Sequence, residues 1–178
     1  MPMFSSTLVQ RIEAHSEQIA GLAVEEIRRD PQLHAIAALD RDELASGAYD
    51  LLGNLGHWLV ARDPEVARWS EPLGRSRFEQ SIPLCELIRG LLIIKARLID
   101  FAREELSGTA LQIYAEEELE YRVGRFFDLV IFYAAKGYES ALHDSISDHG
   151  PVPRAAEVAY GEPKPALSLR SHATHSTR

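Results

Sequence analysis

The chain has 178 residues, 46% hydrophobic and 26% charged, with 27 acidic and 19 basic side chains and a formal net charge of -8. That is the profile of one soluble globular domain, or one domain plus a tail, with length enough for a substantial core. The acidic balance disfavours nucleic acid and anionic membranes as partners, the single cysteine, Cys85, excludes a disulfide framework, and no apolar run approaches the ~20 residues of a membrane span. The first residues also lack the continuous apolar run of a signal peptide, so the expected location is the cytoplasm.

Residues 1–146 read as helix throughout, because apolar positions recur at helical spacing and nothing alternates with the strand period. The spacing of Val9, Ile12, Ile19, Ala23 and Ile27 predicts one helix over 6–29, stopped by Asp30-Pro31. Asp40 followed by Glu43 predicts a capping box opening a second helix, whose buried stripe is Leu44, Ala48, Leu51, Leu55, Trp58 and Leu59. Asp63-Pro64 starts a third, expected to be short because Pro72 intervenes, with a further short helix over 73–80. Ser81-Ile82-Pro83 then opens a helix to Leu106, closed by Gly108 at its C′ position. Its middle, 91–94, is apolar on all sides, which predicts neighbours on more than one face. Thr109 with Gln112 forms a second candidate capping box. The last helix then extends over 110–146, about 55 Å at ~1.5 Å per residue. It either breaks near Gly124 or Gly137, or projects toward a partner. Gly90 and Gly137, mid-helix, mark either close helix approach or simple tolerance. Residues 147–178, with Pro151, Pro153, Pro163 and Pro165 and a His/Ser/Thr-rich end, read as a flexible tail.

The seven histidines form no HExxH or Glu-x-x-His pattern, so neither a zinc protease nor a di-iron bundle is indicated. Glu139 and His143 read as a surface i,i+4 pair, and His172 and His175 as tail residues. A haem-binding globin, the alternative function, would need His57 or His34 as its axial ligand. Cys85 in a helix's first turn reads as core packing, and no nucleophile elbow, P-loop or dinucleotide fingerprint is present. Arg68, Arg75 and Arg77 lie around Trp69 and Phe78. They are a candidate contact for an anion or a partner's carboxylates, beside the simpler reading of a solvated turn. Asp128 is either exposed or paired with Arg97 or Arg125, the only arrangement that would hint at an enzyme pocket.

The densest apolar run is Phe126-Phe127-Asp128-Leu129-Val130-Ile131-Phe132. Successive helix positions point about 100° apart, so these side chains need more than one surface. A second subunit, in a symmetric pair, is the expected cover, with Phe126, Phe127, Val130, Ile131 and Ala134 as its interface. Packing between helices of the same chain is the other possibility.

The block Pro72-Leu73-Gly74-Arg75-Ser76-Arg77-Phe78-Glu79-Gln80-Ser81-Ile82-Pro83-Leu84-Cys85-Glu86-Leu87-Ile88-Arg89-Gly90-Leu91-Leu92 resembles the centre of the RsbR-type N-terminal sensory domain, from the stressosome co-antagonist proteins. The Asp-Pro helix start upstream and the aromatic-rich helix downstream fit the same setting, and the resemblance extends over about 8–146. It implies an all-α, globin-like bundle without haem or other cofactor, usually dimeric. It also implies a non-enzymatic sensor or protein-interaction module in stress signalling. Family members lead into an output domain, whereas the sequence after residue 146 has only its proline-rich stretch. The expectation is therefore a homodimeric regulatory module, with a protein partner, responding through changes in helix packing.

Overall fold

The computed structural model describes residues 3–105 and 110–148. Among these the chain is all-α: α1 (Met3–Ala14), α2 (Ser16–Arg29), α3 (His34–Ala37), α4 (Arg41–Leu52), α5 (Leu55–Trp58), α6 (Asp63–Glu79), α7 (Leu84–Glu105) and the long α8 (Ala110–Asp148). Gly108, Thr109 and residues 149–178, with the readings placed on them, lie outside the described residues.

The predicted first helix bends into α1 and α2 at His15. There the Ser16 hydroxyl donates to the Glu13 carbonyl at 2.7 Å and His15 Nδ1 meets the Arg11 carbonyl at 2.8 Å. Side chains that compete for helix carbonyls in this way bend the ladder. The second predicted helix also divides, at Gly53. Asn54 Nδ2 takes the terminal carbonyl of Asp50 at 3.0 Å, and the chain re-enters helix as α5. Asp40 caps α4 as the sequence implies, accepting from the amides of Asp42 at 2.8 Å and Glu43 at 3.4 Å.

Pro72 does not end a helix: α6 runs through it for 17 residues. Proline removes one amide and displaces the carbonyl four residues back. Here Pro72 and Arg68 both lie on the exposed side, where water can serve that carbonyl. Ser81 then turns the chain with a left-handed φ of 59°.

α6 and α8 lie side by side and run the same way, as the pairs Glu71–Lys136, Phe78–Tyr138 and Arg75–Asp144 show. Their approach is a backbone contact. A Cβ on Gly74 would stand 1.8 Å from the Ala134 carbonyl oxygen, and one on Gly137 would stand 2.0 Å from that of Glu71. Close approach is thus the reason for Gly137. At Gly90 the neighbours are side-chain tips, Ile36 Cδ1 at 3.0 Å and Ile27 Cδ1 at 3.8 Å. α7 runs antiparallel to α8, with Arg103 on Glu120 and Lys95 near Asp128, and antiparallel to α2, with Arg97 on Glu26 and Arg89 on Asp30.

The main core gathers Ile12, Ile19, Leu51, Leu52, Leu55, Val66, Leu98, Val123, Phe127 and Val130. A second cluster, Val24, Ile27, Leu33, Ile36, Leu44, Ile82 and Ile93, seals α2, α3 and α4 against α7. In the apolar stretch of α7, Leu91 and Ile93 are buried, but Leu92 is exposed, so that stretch is not enclosed on every side.

Candidate functional site

α8 determines what this molecule can present. Phe126, Phe127, Val130 and Ala134 are buried within the protomer, packed with α1, α6 and α7, and Ile131 is half-buried against the same core. The expected interface residues are therefore corrected: the first four have no free surface for a second chain, because three neighbouring elements enclose most of the helix circumference. The apolar side chains left on its outer side are Tyr121 at 71% exposure, Phe132 at 60%, Leu142 at 42% and Ile146 at 63%. At about 100° per residue these four fall on one stripe. By the antiparallel register of α7 and α8, exposed Leu92 falls level with Phe132.

The three arginines do not converge. Arg77 is buried and its guanidinium bonds Glu43 at 2.6 Å and the Gln80 side chain, tying α6 to α4. Arg75 points the other way, onto Asp144 at 3.0 Å and Ser140 at 3.3 Å. Arg68 shares that outer side with Arg75, beside Glu71, Pro72 and Lys136. The Gln80 amide and the Arg77 guanidinium together hold the Glu43 carboxyl below its ordinary range. The Gln32 amide and Arg89 do the same for Asp30, and Glu71 raises the ammonium of Lys136.

Sequence reasoning missed Glu86. Its buried carboxylate reaches from α7 to accept from the amides of Ala35 at 2.8 Å and Ile36 at 2.9 Å, capping α3. Glu13 serves α5 in the same way, accepting from Gly56 at 2.8 Å. Caps supplied from a distant helix leave no local spacing signal, so no reading of adjacent residues could find them.

Beneath α3 lies a cavity of about 60 Å³ between α2, α4, α6 and α7, lined by Val24, Ile27, Ile36, Leu51, Trp69 and Leu91, with Arg77 its charged residue. No histidine lines it. His34 and His57 are both exposed, His57 lying edge-on to Trp58. Neither can serve as an axial ligand in an apolar pocket, and a space this size holds a few waters rather than a macrocycle. The residues present do not fit haem.

Asp128 is 77% exposed with Lys95 at 3.7 Å, which removes the enzyme-pocket reading of that carboxylate. Cys85 is exposed rather than part of the core. Among the described residues no group of three or more His, Cys, Asp or Glu side chains could hold a metal ion, and no helix is long and apolar enough to cross a membrane.

A cleft of about 440 Å³ opens between the segment after α5 and the first half of α8. Trp58, Leu59, Phe126 and Leu129 form its apolar side, and Asp63, Glu118, Arg122 and Arg125 its polar side.

The body is all-helical with an apolar interior, and its longest helix leaves four apolar side chains in water, on a stripe they share with exposed Asp128 and Glu139. Its lineage follows from the sequence match: residues 17–150 fit the model of the RsbT co-antagonist protein rsbRD N-terminal domain, and the chain belongs to that family. The family is one of regulatory signalling domains, associated with the stressosome. Comparison with curated proteins and with solved structures returns no match.

Proposed function

We propose that the chain is a non-enzymatic regulatory module that self-associates through the outer stripe of α8 and passes a signal to a protein partner by a change in helix packing. The observation that carries this reading is the two-sidedness of α8. One side supplies the core through Val123, Phe127, Val130 and Ala134, while the other keeps Phe132, Leu142 and Ile146 in water. Burying such side chains is worth about 1.5–3 kcal/mol each, and a twofold pair doubles every contact. The family membership supports a partner protein, since its description names co-antagonists of another protein.

Size-exclusion chromatography with light scattering tests the association. The native chain is expected as a dimer at micromolar concentration, and Phe132→Asp with Ile146→Glu as a monomer with an unchanged helical spectrum. A native chain that stays monomeric at millimolar concentration refutes the reading.

A further inference from the structure

The cleft beside Trp58 combines three features that no part of the signalling reading uses. Its floor is apolar and partly aromatic: Trp58 stacks on Phe126 with ring centres 6.0 Å apart, between Leu59 and Leu129. Of its four charged side chains, Arg122 and Glu118 satisfy one another at 2.7 Å. The remaining two, Asp63 and Arg125, are of opposite sign, exposed, and without an ion pair or hydrogen bond among the described residues. Finally, the indole Nε1 of Trp58 is covered by neighbouring atoms and has no acceptor. A covered donor without a partner costs free energy.

We infer that this cleft binds a free α-amino acid with an apolar side chain. A simple carboxylate would meet Arg125 but face the unpaired Asp63, and a simple amine would meet Asp63 but face the unpaired Arg125. A zwitterion satisfies both: its carboxylate accepts from the Arg125 guanidinium, a charge-assisted pairing suited to that planar fork. Its ammonium donates to Asp63, and its side chain lies over Phe126 and Leu129. The volume falls in the range of small-ligand pockets, about 300–1,000 Å³. Asp63 and Arg125 stand on different helices, α6 and α8, so an occupant would bridge the two elements locked together by Gly74 and Gly137. The inference requires neither the dimer nor a signalling role, and it is tested on the chain alone.

Isothermal titration calorimetry supplies the test, with L-phenylalanine and L-leucine as probes, beside 3-phenylpropanoate and 2-phenylethylamine, which each keep one charge. Titrations run to about 10 mM, where even a millimolar site saturates. Saturable binding of an amino acid, at least about tenfold tighter than either single-charge analogue, is the expected result, because each lost charged contact is worth about a factor of ten or more. Arg125→Gln and Asp63→Asn should each weaken it about tenfold or more, and Trp58→Phe by less. Both charged residues are exposed, so these variants should keep the native helical spectrum, and Phe132→Asp should bind normally. Equal binding of a single-charge analogue, no saturation with either amino acid, or undiminished binding by folded Arg125→Gln would each overturn the assignment.

Discussion

Gly137→Ala is the sharpest probe of how the molecule is assembled. In an ordinary helix interior the change gains about 1 kcal/mol from propensity. Here the new methyl would stand 2.0 Å from the Glu71 carbonyl oxygen, roughly 1.4 Å inside the 3.4 Å at which ordinary contact begins. The obstacle is backbone, so no side chain can swing aside. α6 and α8 must part, or both ladders must distort. Overpacking of a tight core costs about 1–3 kcal/mol, and rigid atoms on both sides place this case at the upper end or beyond. The net expectation is a loss of about 2 kcal/mol, which for a chain of this length lowers the melting temperature by roughly 4–8 °C. Gly21→Ala is the matched control: nothing lies within 4 Å of its added Cβ, and a gain of up to ~1 kcal/mol is expected. Urea unfolding followed by circular dichroism at both positions reads the contrast. If Gly137→Ala is as stable as Gly21→Ala, the backbone contact between α6 and α8 is wrong.

Glu86→Ala strands the amides of Ala35 and Ile36. A loss of about 1–3 kcal/mol is expected, with faster hydrogen exchange at those two amides; unchanged exchange would show that α3 does not depend on this carboxylate. The Glu43 cluster predicts an acid-sensitive step. Because Gln80 and Arg77 hold the folded carboxyl below its ordinary value of 4.5, its contribution is fully present above that pH and fades as pH falls through the lower folded value. The difference in urea midpoint between the native chain and Glu43→Gln should therefore be constant near neutrality and close progressively below pH 4.5. A difference that widens on acidification would contradict the sign.

Much of the architecture was legible because helical periodicity is a local signal. The α4 start at Asp40 and the α7 start near Pro83 follow from spacing and caps, and spacing also gives a long last helix, whereas its passage unbroken through Gly124 and Gly137 is settled by the fold. What misled was context. By spacing alone Pro72 reads as a stop, yet a proline on a wet helix side leaves only a hydrated carbonyl. The predicted helices divide at His15 and Gly53, where the side chains of His15, Ser16 and Asn54 bond helix carbonyls in a way that spacing does not encode. The run from Phe126 to Val130 did need several surfaces, as its density implied, but α1, α6 and α7 supply them from within the chain. The outward stripe lies instead at Phe132, Leu142 and Ile146, residues that look unremarkable until the core positions are assigned. The cleft charges were beyond reach altogether, since only the fold brings Asp63 and Arg125 to the lining of one cleft.

The glycine contacts also decide how α6 and α8 can travel. Sliding one helix along the other by a single residue would drive a β-carbon into a main-chain oxygen at Ala134 or Glu71. The two glycines therefore set the register of α6 against α8, as a pair of notches that hold the helices against axial slippage.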